Sequence, residues 1–597
     1  MMAPRTSSPS PQARQSMLGV LRVYLGPLKW QVALLAALLL GGTGLNLLLP
    51  QLLRRFVDNA KLIGGADVEL LTRLAALYIV LAIGVQLMTA GATYVGARVG
   101  WTATNRLRAD LMAHLLSLDM HEHKERTPGE MIERIDGDVT ALSNFFSQFA
   151  VRVFGAALLL TGAVVMFWRE DWRVGAGITL FTVVTLLAMN QVRKLGVEPT
   201  KAEREASAKL FGFVEERLTG LEDIRALGAG GHHLNRFLQT QREFFTRSTF
   251  SWRRRSVVWQ LSMLLFAVGY VGLLSAAVGL YAAGSITLGT AFLLYQYMSM
   301  IEEPIDQLTQ QLQDLQKAGA SLGRVSEILS LRSQIHDGTR PLPPGPLALR
   351  FQNVDFTYTP ADPSARRVLR GVNFELPAGQ TLGLLGRTGS GKTTLTRLIS
   401  RLYDATGGQV SLGGVDVRDV PLHDLRTRVA VVTQDVQLFQ ASVRDNLSFF
   451  DPHISDQQVE AALLEVGLGT WLDRLPDGVH TPLPSGSLSA GEAQLLAFAR
   501  VMLRDPAVII LDEPSSRLDP ATEALLTAAM TRLLSGRTAI IIAHRLDTVA
   551  RADRILVLGG GEVLEHGERA ALARDPRSQY AGLLRAGVSA EDEGVLA

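Results

Sequence analysis

The chain has 597 residues, of which 47% are hydrophobic, and a formal net charge of +2 at pH 7. A chain of this length is expected to form at least two domains, because single hydrophobic cores stop growing beyond about 300 residues. Basic and acidic residues are almost equal in number, so the charge gives no reason to expect a nucleic-acid partner. The absence of cysteine excludes disulfides, Cys-ligated zinc, iron–sulfur clusters and a cysteine protease domain.

The first part of the chain has the composition of a membrane domain. Residues 1–16 are rich in Pro and Ser and are predicted to be a disordered tail. The amphipathic stretch 17–28 is predicted to lie along a membrane surface. Six apolar segments within residues 17–330 are then long enough to cross a bilayer as helices. They cover about 30–53, 73–97, 149–168, 174–192, 257–283 and 288–310.

The connections between these segments alternate in length. Only Trp168–Arg173 joins the third and fourth segments, and Ala283–Gly289 joins the fifth and sixth. The connections after the second and fourth segments are about 50–65 residues long and hold most of the basic residues of this half. Because basic loops stay in the cytoplasm, both long connections and both termini are predicted to be cytoplasmic. Arg54 and Arg55, at the outer end of the first segment, go against this rule.

Each long connection is predicted to be a helical hairpin with a polar tip, near residues 121–124 and near residues 218–221. A solvated turn is the ordinary interpretation of each tip, although a large cytoplasmic domain follows that a tip can contact. After the sixth segment the chain is predicted to remain helical to about residue 330. A Pro-rich linker over 331–347 then leads to a globular domain over 348–585 and a tail over 586–597.

The most specific motif is GRTGSGKT, Gly386–Thr393, which matches the phosphate-binding pattern G-x-x-x-x-G-K-[ST]. A predicted strand over 381–385 precedes it and a predicted helix follows it, as this pattern requires. The backbone N–H groups of the loop are expected to surround the phosphates of ATP, and the helix N-terminus favours such an anion. The predicted ATP-binding residues of this segment are Gly386, Arg387, Thr388, Gly389, Ser390, Gly391, Lys392, Thr393 and Thr394, with Thr393 also binding Mg²⁺.

A second apolar run, Ala507–Leu511, ends in Asp512 and Glu513. Such a run predicts a buried parallel strand, and ligands bind at the C-terminal ends of the strands in open α/β sheets. We expect Asp512 to hold Mg²⁺ through water and Glu513 to polarise the water that attacks ATP. Alone, the run is also consistent with an ordinary strand that has acidic residues at its exit.

Together these motifs resemble the ABC transporters, and specifically the half-transporters of the exporter type, over about residues 17–585. The resemblance implies an all-α membrane domain of six transmembrane helices and an α/β P-loop ATPase domain. It also implies that the tips near residues 121–124 and 218–228 are coupling helices, which press on the nucleotide domains.

The same resemblance implies roles for residues that carry little signal alone. Tyr358 matches the aromatic residue that stacks on adenine, and Gln434 matches the glutamine that senses Mg²⁺ and the attacking water. His544 matches the switch histidine that contacts the γ-phosphate. Asp519 belongs to a segment that resembles the loop crossing to the other nucleotide domain.

The signature loop departs from the family pattern LSGGQ, because Leu488–Glu492 reads LSAGE. The resemblance implies that Ser489, Ala490, Gly491 and Glu492 lie at a helix N-terminus and complete the ATP site of the other subunit. A methyl group at residue 490 and a carboxylate at residue 492 are both expected to weaken phosphate binding there. An intact catalytic half beside an altered signature suggests a heterodimer with one catalytic and one degenerate site. The alternative is a homodimer that tolerates both substitutions.

The predicted function is ATP-driven export, or leaflet translocation, of amphipathic small molecules or lipids across the cytoplasmic membrane by alternating access. Two alternatives remain: a homodimeric lipid or drug flippase with two equivalent sites, and a membrane protein that uses ATP only as a regulatory ligand. The second alternative does not need Glu513. In the sixth segment, Glu302, Glu303 and Asp306 either meet a cationic substrate or lie in solvent near its cytoplasmic end.

Overall fold

The computed structural model describes residues 17–60, 67–360, 365–484, 486–512, 520–543 and 546–594. The chain forms two compact units. The first runs to Ser117 and from Thr127 to Leu331, and the second holds Leu118–Arg126 and the chain from Arg332 onward. The second unit therefore includes a short segment whose sequence neighbours on both sides belong to the first.

The described part of the first unit is helical. Its α-helices are α1 (Met17–Leu25), α2 (Lys29–Ala60), α3 (Val68–Ser117), α5 (Pro128–Ile132), α6 (Val139–Asn144), α7 (Gly155–Glu170), α8 (Trp172–Thr219), α9 (Leu221–Ala226), α10 (Gly230–Ala282) and α11 (Leu288–Ser330). Helix α4 (Met120–Glu125) lies in the second unit. Two π-helical segments, Glu133–Asp138 and Phe145–Phe154, flank α6. The predicted spans fall on helices α2, α3, α8, α10 and α11, and the third span covers the second π-helical segment together with α7.

Five helices of the described chain are long and apolar enough to cross a membrane. They are Arg22–Ala60, Val68–Ser117, Val151–Glu170, Trp172–Thr219 and Gly230–Ala282. Many of their large apolar side chains are exposed, including Leu87 and Leu180, as expected where lipid replaces water. The sixth predicted span lies in α11, which is less apolar and carries Glu302, Glu303 and Asp306.

The connection between the third and fourth spans is shorter than the sequence suggests, because Trp168–Glu170 continues helix α7. Only Asp171 separates α7 from α8. Its carboxylate accepts hydrogen bonds from the backbone N–H of Arg173 at 2.8 Å and of Val174 at 3.4 Å. Asp171 is therefore the N-cap of α8, which explains how so sharp a turn is stabilised.

A polar network fastens the end of α2 to α7 and α11, and it accounts for the unexpected charge of Arg54. The Arg54 guanidinium lies 2.6 Å from the carboxylate of Glu170, and the amide of Gln51 donates to the same carboxylate at 2.9 Å. Gln51 also donates to the hydroxyl of the buried Tyr297 at 3.1 Å. Asp58, one turn beyond Arg54, accepts a hydrogen bond from the backbone N–H of Gly289 at 2.8 Å.

A second charged cluster joins α11 to the segment before α6. Asp138 is 2% exposed, and its carboxylate accepts hydrogen bonds from two nitrogens of Arg324 and one of Arg134. Burial by itself raises the pKa of Asp138, but hydrogen bonds from Arg324 and Ser321 outweigh it, and the pKa lies below the ordinary value. Asp138 therefore stays ionised near neutral pH.

The second unit contains two β-sheets. Its strands are β1 (Leu349–Phe356), β2 (Leu369–Leu376), β3 (Thr381–Leu385), β4 (Gly407–Leu412), β5 (Val415–Asp416), β6 (Val429–Val432), β7 (Val508–Asp512), β8 (Thr538–Ile542), β9 (Arg554–Gly559) and β10 (Glu562–Glu568). One sheet is antiparallel with the order β2-β1-β4-β5. The other has the order β10-β9-β3-β8-β7-β6 and is parallel except for β10.

Helices cover these sheets. They are α12 (Lys392–Ile399), α13 (Leu422–Arg428), α14 (Val443–Ser448), α15 (Asp456–Glu465), α16 (Gly469–Leu472), α17 (Ala490–Met502), α18 (Pro520–Leu534), α19 (Leu546–Val549), α20 (Arg569–Arg574) and α21 (Gln579–Gly594). Strands β3 and β8 are buried along their whole length, and β7 is buried up to Asp512. This explains why their sequences are continuous apolar runs rather than alternating ones. Because the three strands are parallel neighbours, the segments that follow them begin at the same edge of the sheet.

Candidate nucleotide-binding site

The phosphate loop directly follows β3 and depends on glycine at two tight positions. Gly386 has a φ of 152°, and a Cβ there would lie 2.3 Å from the carbonyl oxygen of Leu558. Gly391, the N-cap of α12, has a φ of 108°. Side chains are strongly disfavoured at both positions. The loop therefore wraps closely around the N-terminus of α12, where the positive end of the helix dipole favours an anion.

Two buried polar side chains of this loop fit a phosphate group. Lys392 is 7% exposed, and its ammonium donates to the carbonyl oxygen of Gly386 at 2.6 Å. Ser390 is 4% exposed, and its hydroxyl has no hydrogen-bond partner among the residues that the structure describes. An unpaired buried hydroxyl is costly, and a phosphate oxygen would satisfy it.

The residues predicted to hold Mg²⁺ lie around one cavity of the second unit. Thr393, Gln434 and Asp512 all line a cavity of about 990 Å³. In the described chain no cluster of three or more His, Asp or Glu side chains suitable for a metal was found. Mg²⁺ is usually held in proteins by one or two carboxylates and completes its shell with water and phosphate oxygens.

Three predicted site residues, Glu513, Asp519 and His544, lie outside the described residues. The strands that lead to Glu513 and His544 are adjacent, because Asp512 of β7 pairs with Ile542 of β8. Their predicted roles as catalytic base, crossing-loop residue and γ-phosphate contact stay predictions.

Tyr358 lies two residues beyond β1 rather than within a strand. Its hydroxyl is 3.0 Å from the hydroxyl of Thr394 and accepts a hydrogen bond from Arg397 at 2.9 Å. The predicted adenine-stacking residue is thus tied to the first turns of α12. Neither Arg397 nor Lys124, whose ammonium lies 4.0 Å from the Tyr358 ring centroid, was identified as a neighbour of Tyr358 from the sequence. Arg397 lies four residues after Thr393 on α12, and this helical spacing is a sequence signal by which it could have been identified.

The signature residues open helix α17, as predicted. Ser489 is the N-cap, and its hydroxyl accepts a hydrogen bond from the backbone N–H of Glu492. The Glu492 carboxylate in turn accepts hydrogen bonds from both the backbone N–H and the hydroxyl of Ser489, each at 2.8 Å. This is a capping box. Its effect is to place a carboxylate at the helix end that would otherwise receive a phosphate.

Comparisons with known proteins agree with this arrangement. Residues 369–516 match the family model described as ABC transporter, and residues 32–305 match that of the ABC transporter transmembrane region. The uncharacterised ABC transporter ATP-binding protein YknV of Bacillus subtilis is 31% identical over 91% of this chain and 90% of its own length. The multidrug efflux ATP-binding/permease protein Rv0194 of Mycobacterium tuberculosis is 29% identical over 88% of this chain but only 44% of its own length.

Among solved structures, a bacterial Atm1-family ABC exporter with ATP bound superimposes with a TM-score of 0.78 and 25% identity. The match covers 94% of this chain and 98% of that chain. The likeness therefore extends over both the membrane and the nucleotide-binding parts.

Proposed function

Because this chain belongs to the ABC transporters, as an ATP-hydrolysing half-transporter of the exporter type, we propose that it exports amphipathic small molecules or lipids by alternating access. We further propose that it works as one subunit of a heterodimer with one catalytic and one degenerate ATP site. Closure of two nucleotide domains on ATP would drive the change between inward- and outward-facing states, and hydrolysis would reset it.

The observation that carries the asymmetry is the contrast between the two halves of the nucleotide site. On the phosphate-loop side, Ser390 and Lys392 fit a phosphate, and Thr393, Gln434 and Asp512 line one cavity. These residues support ATP binding with Mg²⁺ on this chain, with Glu513 as the general base.

On the signature side, the hydroxyl of Ser489 already donates to Glu492. In the proposed dimer this hydroxyl would have to donate instead to the γ-phosphate of ATP bound on the other subunit. The Glu492 carboxylate also repels that phosphate, and Ala490 adds a methyl group where the family pattern has glycine. Both effects support a second site that binds ATP but hydrolyses it poorly.

The second unit has a cavity with several basic side chains in its lining. The cavity described above is also lined by five basic side chains, Lys124, Arg397, Arg426, Arg500 and Arg504. Burial, and to a lesser extent the nearby Arg504, lower the pKa of Arg500. Helix α9 has exposed Leu221, Glu222 and Asp223. From the family resemblance we propose that a coupling helix of the partner subunit contacts the second unit beside this cavity, and that α9 of this chain contacts the partner's nucleotide domain.

The proposed location is the cytoplasmic membrane, with the ATPase domain and both termini in the cytoplasm. The basic long connections support this orientation. Arg54, which goes against the rule, forms an ion pair with Glu170 and so has a structural role at its position.

A coexpression experiment tests the proposal. The full chain is purified in lipid nanodiscs alone and together with a candidate partner half-transporter that has an intact LSGGQ signature, and ATPase activity and transport are measured for both. We expect full activity only with the partner, and we expect Glu513→Gln to retain ATP binding but to remove most turnover. Full transport-coupled activity of the chain alone would favour the homodimeric flippase. Near-normal hydrolysis with Glu513→Gln would remove Glu513 from the role of general base, and ATP binding without any solute movement would favour a regulatory role.

A further inference from the structure

One face of helix α11 combines aromatic rings with a carboxylate. Phe292, Tyr295, Ser299 and Glu302 follow one another at intervals of three or four residues, so they lie on the same side of the helix. The rings of Phe292 and Tyr295 lie 6.5 Å apart between centroids. Both rings are exposed and Glu302 is half-buried, so the rest of the first unit leaves this face partly open.

Helix α10 adds a further ring beside this face. The Tyr270 ring centroid lies 5.5 Å from that of Tyr295, and Tyr270 is close enough to Glu302 to interact with its charge. The neighbouring Gly269 allows this approach, because a Cβ there would lie 2.7 Å from the Cε atom of Met298 on α11. The two tyrosine rings and the carboxylate are therefore held together by two closely packed helices.

The Glu302 carboxylate lies deep in the predicted span. Glu302 is 14 residues after Leu288, which begins α11, and this spacing corresponds to about 21 Å along the helix. In the proposed orientation Leu288 lies at the outer boundary of a hydrocarbon core about 30 Å thick, so Glu302 lies inside that core. Among the residues that the structure describes, this carboxylate has no hydrogen bond and no ion pair, whereas the adjacent Glu303 accepts from Gln307 at 2.8 Å. A charge without a partner at this depth is costly, and a bound cation would offset the cost.

These groups match the chemistry of an organic cation. The faces of aromatic rings attract substituted ammonium groups, and a carboxylate supplies the opposite charge. Pro304 has no N–H for the carbonyl of Met300, so that carbonyl lacks its usual donor and adds negative partial charge to the same part of the helix. An anionic lipid would be repelled here, and a neutral molecule would gain nothing from the charge.

We propose that α10 and α11 form a binding site for an amphipathic organic cation, with Glu302 as its counter-charge and Tyr270 and Tyr295 as its aromatic wall. The recognised chemistry is a substituted ammonium or phosphonium group on an apolar body, carried by a small molecule or by a lipid headgroup. The proposal rests on the proposed function and deepens it, because it names the charge of the exported substrate.

Equilibrium binding of two radiolabelled probes of similar shape tests the site. The probes are the cation tetraphenylphosphonium and the neutral triphenylphosphine oxide, and each is measured on the full chain in phosphatidylglycerol nanodiscs, with empty nanodiscs as the background. The wild type is expected to bind the cation at least about tenfold more tightly than the neutral probe. Glu302→Gln should lose this preference, and Glu302→Asp, which keeps the charge, should retain part of it. Glu303→Gln is the matched control and should change the preference little, because Glu303 is already paired with Gln307.

The aromatic wall is tested with a second pair of variants. Tyr295→Leu should weaken binding of tetraphenylphosphonium about two- to tenfold, whereas Tyr295→Phe keeps the ring and should bind like the wild type. Nanodiscs of phosphatidylcholine distinguish the two sources of the cation. Weaker binding of the probe in these nanodiscs would assign the site to a lipid headgroup, and unchanged binding would assign it to a small molecule.

A wild type without preference for the cation would overturn the proposal, and so would a full preference in Glu302→Gln. Equal loss of both probes in Glu302→Gln would also overturn it, because Glu302 would then only hold the helices together. Should Glu302→Gln fail to fold, the variants of Tyr295 decide, and equal affinity of Tyr295→Leu and Tyr295→Phe for the cation would refute the site. The proposed function fails on a different measurement, which is the absence of ATP-dependent movement of tetraphenylphosphonium and of a fluorescent phospholipid with any partner subunit. Cation binding that depends on Glu302 could still be observed in that case.

Discussion

Replacing Glu492 by glutamine tests whether the carboxylate in the signature loop weakens the ATP site that this loop completes. The substitution keeps the size of the side chain and an oxygen that accepts from the backbone N–H of Ser489, so the capping box and the fold should be retained. What it removes is the negative charge beside the Ser489 hydroxyl. We therefore expect tighter ATP binding without loss of stability.

The structure sets the size of this effect. The carboxylate oxygen of Glu492 lies 2.8 Å from the hydroxyl oxygen of Ser489. A phosphate oxygen bound by that hydroxyl at about 2.7 Å would therefore lie about 4–5 Å from the carboxylate. Two like charges at 5 Å repel by about 0.8 kcal/mol in water and about 3 kcal/mol at an effective dielectric constant of 20. Because Ser489 is exposed, we expect about 1–2 kcal/mol, or about a five- to thirtyfold gain in ATP affinity.

The assay is retention of radiolabelled ATP by the purified transporter at about 0.05 M and 0.5 M salt, with ATPase activity measured beside it. The gain should shrink at high salt, because ions screen exposed charges. Glu460→Gln, which removes a charge from the exposed surface of α15, is the matched control and should have no effect. An unchanged affinity in Glu492→Gln at low salt would refute the argument, because the carboxylate would then not face the nucleotide.

Three further substitutions test other parts of the structure. Gly386→Ala should abolish binding of a fluorescent ATP analogue, because the new methyl group would overlap the backbone of β9; wild-type affinity would contradict this. Asp138→Asn should lower the melting temperature, since Arg324 would lose its buried partner at a cost of about 2–4 kcal/mol. Because the pKa of Asp138 is lowered on folding, its contribution exists above pH 3.8 and disappears as the pH falls through the folded value, and the melting temperatures of Asp138→Asn and the wild type should converge there. Glu170→Gln should also lower the melting temperature, and the exchange of Arg54 and Glu170 in one double variant should restore part of the loss; no restoration would show that the ion pair is not what matters.

Two of the parallel strands of the nucleotide domain were predictable to within one residue. The runs 381–385 and 507–511 correspond to β3 and β7. These strands are buried on both sides, so each sequence is a continuous apolar run, which is hard to mistake when a phosphate-loop pattern follows the first of them. The long apolar helices of the membrane part were predictable as segments, although several extend well beyond the predicted spans.

The contacts between distant parts of the chain were not predictable. Arg54 looked like an exception to the positive-inside rule, and its partner Glu170 lies 116 residues later in the chain. The cation–π contact between Lys124 and Tyr358 likewise joins residues that no local pattern connects. Such pairs depend on helix packing and domain topology, about which periodicity carries no information.

The role of Glu492 was only partly predictable from the sequence. Its identity was visible in the sequence as a departure from LSGGQ, and Ser followed three residues later by Glu is a known signal for a helix start. The sequence alone did not show that the hydroxyl of Ser489 donates a hydrogen bond to this carboxylate, because that bond depends on the rotamers of both side chains.

Because only Asp171 separates α7 from α8, this hairpin has no loop to which an antibody could bind. In the proposed orientation, a reagent acting from outside the cell would have to reach between the helices instead. An epitope tag inserted at Asp171 would separate its carboxylate from the two N–H groups that begin α8. The tag would therefore destabilise the start of α8, the helix whose topology it was inserted to determine.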